Sequence, residues 1–175
     1  MTHDFADFLR RINIPIEEVA LLFHSNNSTE YSRCKNRGMI AEYQRFQCTN
    51  KKADYLGNKQ YIFSFERDGH KNAIFIGCYI NHGRIISKPS KSELTIDDYG
   101  EFPFPEWYDW IGNQTPGGHG IQYYYLLDLE PQFADLKDIM IIHDISLTTV
   151  QHSEKVLQSK SITIRNSMID KKYFE

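Results

Sequence analysis

The first residues of the chain carry apolar side chains at helical spacing. Asp4 or Thr2 is placed to cap a first turn, and the apolar positions that follow are Phe5, Phe8, Leu9 and Ile12. The pattern predicts an amphipathic helix near residues 3 to 12. Pro15 interrupts it, and IPIEEVALLFH resumes a helical stripe with Glu17 and Glu18 at the positive end of the dipole, so a second helix is predicted.

The next two segments predict a loop and a third helix. Ser25–Gly38 is polar and rich in turn-forming residues, whereas GMIAEYQRFQ places its apolar side chains on one helical face. Gln44 and Gln47 share another side of this predicted helix beside Tyr43. Paired amides suit the reading of base edges, and the competing interpretation is that they cap backbone groups of adjacent strands.

After Gly57 the hydrophobic period changes from 3.6 to 2. QYIFSFER predicts a strand ending in a turn at Asp68–Gly69, and NAIFIGCYI predicts a doubly covered strand that turns at Asn81–Gly83 into GRIIS. IQYYYLLDLE and DIMIIHD predict further strands, separated by a helical turn that Pro131 starts. VLQSKSITI predicts a helix followed by a strand, and the last ten residues match no element.

These elements predict one α+β domain, with a helical front over 3–48 and a β-rich body over 58–165. A chain of 175 residues is long enough for a single core. The N-terminal helices are expected to pack on a curved, mostly antiparallel sheet, which is either open or closed as a small barrel.

Charge and cysteine content narrow the class of function. A formal net charge of -3 argues against a protein that coats nucleic acid through its total charge. A local basic patch is still predicted from Arg33, Lys35, Arg37 and Arg45, and the alternative is an ordinary solvated loop. Three cysteines without finger spacing, no signal peptide and no long apolar run predict a soluble, cytoplasmic protein that does not bind membranes.

Signatures of catalysis are missing from the sequence. It contains no GxGxxG, GxxxxGK[ST], HExxH or GxSxG motif, and its seven histidines include no pair at i,i+4. Pairing of the Cys78 thiol with His82 or His143 is disfavoured, because Cys78 lies inside an apolar strand. We therefore expect no enzyme, metal or cofactor, although an unrecognised hydrolase is a further alternative.

The segment GEFPFPEWYDWIGNQTPGGHG concentrates aromatic rings in a stretch too rich in proline and glycine for a regular element. Within it lie Trp107, Tyr108 and Trp110. The two tryptophans either plug the end of the sheet, which is the commoner fate of this residue, or form an exposed surface on which bases stack.

Five motifs follow one another between about Ile12 and Asp144: LLFHSNN, EYQRFQ, YIFSFER, AIFIGCYINHG and YYYLLDLEPQFADLKDIMIIHD. Their order resembles the N-terminal region that accompanies bacterial GIY-YIG-type nuclease domains. Phe23 departs from that pattern, in which arginine is expected, and tryptophans expected soon after Asp144 are absent. The matching positions are His24, Tyr43, Gln44, Gln47, Phe75, Gly77, Tyr79, Leu127, Leu129, Phe133, Asp135, Leu136 and Asp144.

The resemblance implies a recognition module without its nuclease, because no GIY or YIG motif occurs. It implies DNA, including modified bases, as the ligand, a nuclease on a separate chain as a partner, and a restriction or mobile-element system. By analogy, the fold would be a PUA- or SRA-like barrel. The alternative is a protein-interaction subunit that docks on a nuclease or other partner without touching nucleic acid. The residues expected to contact nucleic acid are His24, Arg33, Lys35, Arg37, Tyr43, Gln44, Arg45, Gln47, Trp107, Tyr108 and Trp110.

Overall fold

The computed structural model describes residues 1–25, 29–38, 46–50, 56, 58–69, 71–87, 121–146 and 150–175, with the side chains at all of these except 29, 30, 33, 46–50, 82–87 and 121–126. The strands are β1 Thr2–Asp4, β2 Val19–His24, β3 Phe46–Asn50, β4 Tyr61–Asp68, β5 Asn72–Ser87, β6 Ile121–Leu129, β7 Met140–His143, β8 Val150–Gln151 and β9 Ser161–Ile164. The α-helices are α1 Phe5–Arg11, α2 Thr29–Asn36, α3 Glu154–Gln158 and α4 Ser167–Phe174, and 3₁₀ segments span Ile16–Glu18 and Pro131–Leu136.

The described strands form one mixed sheet in the order β1-β9-β7-β5-β4-β2-β8, and β6 joins it by pairing with β5 and β3. Strands β2 and β4 are parallel, and the other described pairs are antiparallel. The sheet curls into a half-barrel. The prediction of an α+β fold with a curved, mostly antiparallel sheet is thus confirmed, whereas a PUA- or SRA-like barrel remains a prediction.

Strand β5 uses both of its edges. One edge pairs with β4, and the other pairs first with β7 and then with β6. The β6–β7 connection occupies the interval between them, where the Glu130 N–H donates to the Cys78 carbonyl at 2.8 Å and the Asp138 N–H to the Phe75 carbonyl at 2.9 Å. A short segment of β5 therefore borders a connection rather than a strand, which leaves room for clefts there.

One face of the sheet is covered by helices and holds the larger core. Helix α1 contributes Phe5, Phe8 and Leu9, and the second 3₁₀ segment and α3 add further apolar side chains to it. Rings from the sheet meet those from α1, as where Phe5 packs edge-on against Phe63 with centroids 5.7 Å apart. We call this the helix-covered face. Burial of large rings gives it most of the apolar surface that stabilises the fold.

The opposite face holds a smaller cluster formed by Ala20, Leu22, Leu56, Ile62, Tyr79 and Leu127. Here the F-x-G-x-Y motif has a packing explanation. A Cβ atom on Gly77 would lie 3.0 Å from the ring of Tyr79, closer than side chains pack without a shift. A larger residue at this position would therefore have to displace the Tyr79 ring, and glycine avoids this.

The predicted second helix is wrong. Only Ile16–Glu18 makes a 3₁₀ turn, and VALLFH forms strand β2, all six of whose residues are buried. A short run that is apolar on both sides is compatible with a doubly covered strand as well as with a helix. A wholly helical front over 3–48 is wrong as well, because this range includes β2 and part of β3.

Three further predictions near the loops are wrong. Part of the predicted loop Ser25–Gly38 is helix α2. Phe46 and Gln47, which were predicted in a third helix, belong to β3. The other residues of that predicted helix, 39–45, lie outside the described part. No turn interrupts β5 at Asn81–Gly83, because a register shift in its pairing with β6 keeps the strand continuous. The last residues, which matched no element, form α4.

The remaining elements are confirmed. They are the first helix, the hairpin turn at Gly69 with a φ of 75°, strand β6, the 3₁₀ segment that begins at Pro131, strand β7, and the α3–β9 succession. Asp4 occupies the N-cap position of α1, but its side chain makes no capping hydrogen bond. Among the described helices, none is both long and apolar enough to cross a membrane.

Candidate functional site

The parallel pairing of β2 and β4 places two ionisable residues on neighbouring strands near the ends of both. His24, the last residue of β2, lies opposite Glu66 of β4. Helix α2 begins a few residues after His24 and packs against it. The ring of Tyr31 stacks on that of His24, with centroids 5.1 Å apart and planes within 3°.

Glu66 receives two hydrogen bonds from α2. The Tyr31 hydroxyl donates to Oε2 at 3.0 Å, and the Lys35 Nζ donates to Oε1 at 2.5 Å. Tyr31 and Lys35 are four residues apart and so project from the same side of the helix. The side chain of Lys35 is 49% exposed and that of Glu66 15% exposed. We call Glu66, Tyr31 and Lys35 the Glu66 cluster. In it, the Glu66 carboxylate is held by two hydrogen bonds beside the more exposed Lys35.

A cleft of about 340 Å³ opens beside the Glu66 cluster. Its lining includes the end of α2, where Gly38 adopts a φ of 68°, and the turn that leads into β7, where Asp138 adopts a φ of 66°. Both backbone conformations are left-handed and terminate their segments sharply. The lining residues are Tyr31, Lys35, Gly38, Glu66, Ile76, Lys137 and Asp138.

A second, smaller cleft of about 110 Å³ lies where β6 and β7 diverge along β5. Its walls include Tyr79, Leu129 and Phe133, and it shares Ile76 and Lys137 with the larger cleft. Leu129, at the border of this cleft, is 51% exposed. This cleft is therefore apolar where the Glu66 cleft is charged.

The thiol of Cys78 also borders the smaller cleft but is buried. Burial, reinforced by the negative charge of Glu130, raises the pKa of the Cys78 thiol well above its usual range. A thiol held protonated is a poor nucleophile. This agrees with the expectation that Cys78 is inert.

Phe23 stands where the resemblance expects arginine, and an arginine is nevertheless present beside it. The guanidinium of Arg67 lies 5.4 Å from the centre of the Phe23 ring, and its Nη1 donates to the Ser146 carbonyl at 2.8 Å. Burial lowers the pKa of Arg67. The Arg67 side chain thus contributes to packing on the helix-covered side.

The predicted site residues have different outcomes. His24 is buried at 8% exposure and stacked, whereas Lys35 and Arg37 are exposed at the end of α2. Arg33 lies on α2, and Gln47 lies in β3 opposite Tyr125, so a helical side shared by Gln44 and Gln47 is wrong. Outside the described residues lie Tyr43, Gln44, Arg45, Trp107, Tyr108 and Trp110.

Apart from Lys35, none of the residues that line the larger cleft was predicted as a site residue, and three of those missed are Tyr31, Glu66 and Lys137. They come from α2, β4 and the turn before β7, and no sequence spacing connects elements that only the fold brings together. The four-residue spacing of Tyr31 and Lys35 was a signal for one helical side, but it stood in a stretch rich in turn formers.

Within the described part of the chain, no three His, Cys, Asp or Glu residues are grouped so as to hold a metal ion. Comparison with protein families, with curated proteins and with solved structures finds no match to this chain. The geometry of the clefts is therefore the basis on which a function is proposed.

Proposed function

We propose that this chain is a non-catalytic DNA-recognition module of a restriction or mobile-element system, and that the Glu66 cleft is part of its DNA-binding surface. The observation that carries the proposal is that two lysines line one cleft and an exposed arginine adjoins it along the chain. Lys35 and Lys137 line the cleft, and Arg37 is exposed directly before the lining residue Gly38. Cations grouped in this way contact phosphates even when a protein is acidic overall.

The size and chemistry of the cleft support the same proposal. A volume of about 340 Å³ falls within the range of pockets that bind small molecules or single nucleotide units. Lys35 uses one of its three N–H donors on Glu66, and the others remain for a phosphate oxygen. A nuclease on a separate chain, as the resemblance implies, would then act at the site that this module selects.

The test removes Arg37 and Lys137, which we call the rim cations and which take no part in the Glu66 cluster. Arg37→Gln combined with Lys137→Gln should weaken binding of a labelled oligonucleotide and flatten its salt dependence. The log–log slope should fall by up to about 0.9 for each duplex phosphate that the variant no longer neutralises. Fluorescence anisotropy between low and moderate salt measures both quantities.

The matched control changes the same charge elsewhere. Lys155→Gln combined with Lys171→Gln removes two exposed cations from α3 and α4, on the helix-covered side. Equal reductions of affinity in the two double variants would exclude the cleft as the binding surface. Wild-type protein that binds neither single-stranded nor duplex DNA at low salt would contradict the proposed function itself.

The exposure of Leu129 favours a second candidate, a protein-interaction subunit. Leu129 adds exposed apolar surface beside an apolar cleft, and the buried cores of protein interfaces are more apolar than the rest of the surface. Under this candidate the wild-type protein does not bind DNA but forms a complex with a nuclease or methyltransferase encoded beside its gene, and Leu129→Ser weakens that complex. Size-exclusion chromatography of the co-expressed pair distinguishes the two candidates.

A further inference from the structure

We infer that Glu66 selects a nucleobase that carries an exocyclic amino group, so that cytosine and adenine are bound in preference to thymine. The inference rests on the proposed function and adds the identity of the group that is read. It depends on the position, fixation and unused hydrogen-bonding capacity of the Glu66 carboxylate.

The carboxylate lies inside the cleft, and the cations lie at its edge. Glu66 is the more buried partner of its ion pair, at 15% exposure against 49% for Lys35, and Lys137, which also lines the cleft, is exposed. A nucleotide has the complementary polarity, because its phosphate is anionic and its base can donate hydrogen bonds. The phosphate would be repelled by Glu66 and held at the rim, which directs the base toward the carboxylate.

The carboxylate is also held in one orientation. Each of its oxygens accepts one hydrogen bond, Oε2 from Tyr31 and Oε1 from Lys35, and the Tyr31 ring is fixed in turn by its stack on His24. A group oriented by neighbours on a helix and a strand distinguishes ligands better than a mobile one, because little freedom is lost on binding.

An ionised carboxylate can accept about four hydrogen bonds and donate none. Two donors from the described residues leave acceptor sites on Glu66 for a ligand. The amino groups of cytosine and adenine are donors and fit such a site, as glutamate does when it reads the cytosine amino group. Thymine has no amino group, and its one base donor, N3–H, lies between two carbonyl oxygens that the carboxylate repels. Selection of amino-bearing bases follows from this difference.

The test compares single-stranded oligonucleotides of 20 cytosines, 20 adenines and 20 thymines by fluorescence anisotropy at one salt concentration. Wild-type protein should bind the first two roughly tenfold more tightly than the third. Replacement of cytosine by 2-pyrimidinone, which lacks only the amino group, should remove the preference for the cytosine oligonucleotide.

Two variants test whether the preference for cytosine and adenine over thymine arises at Glu66. Glu66→Gln presents an amide that both donates and accepts, so all three oligonucleotides should bind with similar affinity. Asp135→Asn is the matched control, because Asp135 also accepts from a tyrosine and a lysine but lines neither cleft. Asp135→Asn should keep the wild-type preference.

Different results refute the inference and the proposed function. Wild-type protein that binds all three oligonucleotides, and the 2-pyrimidinone analogue, with equal affinity overturns the inference and leaves DNA recognition standing. Wild-type protein that binds none of them, nor duplex DNA, overturns both. If Glu66→Gln fails to fold, the comparison of cytosine with 2-pyrimidinone in the wild-type protein still decides.

Discussion

Two carboxylates in this fold are held by the same kinds of donor, yet their surroundings differ. Each accepts one hydrogen bond from a tyrosine hydroxyl, at 3.0 Å for Glu66 and 2.8 Å for Asp135, and one from a lysine Nζ at 2.5 Å. In each cluster the tyrosine and the lysine belong to one helix and the carboxylate to another element. The donors are Tyr31 and Lys35 of α2 for Glu66, and Lys172 and Tyr173 of α4 for Asp135.

Asp135, Lys172 and Tyr173, which we call the Asp135 cluster, lie against a packed part of the core. The Tyr173 ring packs against Phe8 of α1 with centroids 5.6 Å apart, and burial together with the hydrogen bond to Asp135 raises the pKa of its hydroxyl, which therefore remains a donor. The cluster fixes α4 to the 3₁₀ segment over the helix-covered core. The Glu66 cluster fixes α2 in the same way but borders an open cleft. The same kinds of donor thus fix a helix in both regions, and we propose that beside the cleft the carboxylate also accepts hydrogen bonds from a ligand.

The largest effect is expected from a substitution that removes part of the core beneath the Asp135 cluster. Phe8 is fully buried and contacts the rings of Phe5, Phe63, Phe133, Tyr173 and Phe174. Phe8→Ala should lower the free energy of unfolding by about 3 to 5 kcal/mol, because a large cavity is left. Denaturant titration measures this decrease. DNA affinity per folded molecule should not change, and a change would show that the two regions are coupled.

The helix-covered region was predictable because its sequence has simple periodicity. The stripe of α1 has one buried side, so its period identifies the helix and its orientation. In β4 the rings of Phe63 and Phe65 alternate with Ile62 and Ser64, which gives the period of a strand although all four residues are buried. Several residues of the resemblance also belong to cores: Phe75, Tyr79, Leu127, Phe133 and Leu136 are at most 2% exposed. Packing alone is a sufficient reason for these residue types.

The cleft region was less predictable for two physical reasons. Strand β2 is covered on both faces, so VALLFH has no alternation that separates a strand from a helix. Helix α2 buries Tyr31 and Cys34, and the other residues of its sequence are polar. The residues that approach one another there, Tyr31, Glu66 and Lys137, are joined by tertiary structure and not by spacing along the chain.

An intermediate effect is expected between the two clefts, at the strand that forms their floor. Gly77→Ala places a Cβ atom 3.0 Å from the Tyr79 ring and should cost about 1 to 3 kcal/mol through forced displacement. The same substitution in a Tyr79→Leu background should cost less, because the clashing ring is gone. A double-mutant cycle by denaturant titration gives this coupling, and strictly additive effects would contradict the packing account of the F-x-G-x-Y motif.

The smallest effect on stability provides the most direct comparison of the two clusters. Tyr31→Phe and Tyr173→Phe each remove one hydroxyl that donates to a carboxylate and leave the ring in place. Each should lower the free energy of unfolding by about 1 kcal/mol, the usual net contribution of one hydrogen bond. Thermal and denaturant unfolding of the two variants should therefore give similar decreases in stability.

Measurements of DNA binding should distinguish Tyr31→Phe from Tyr173→Phe, although their stabilities should be similar. Without the Tyr31 hydroxyl the Glu66 carboxylate keeps its charge and its bond to Lys35 but is oriented by one donor instead of two. If the chain binds DNA as proposed, Tyr31→Phe should retain the overall affinity, which the proposal assigns to Arg37 and Lys137, and reduce the preference for cytosine over thymine. Tyr173→Phe should leave both quantities unchanged, because Asp135 lines neither cleft. An equal reduction of the preference in the two variants would mean that it follows general stability, and the distinction drawn between the clusters would then be wrong.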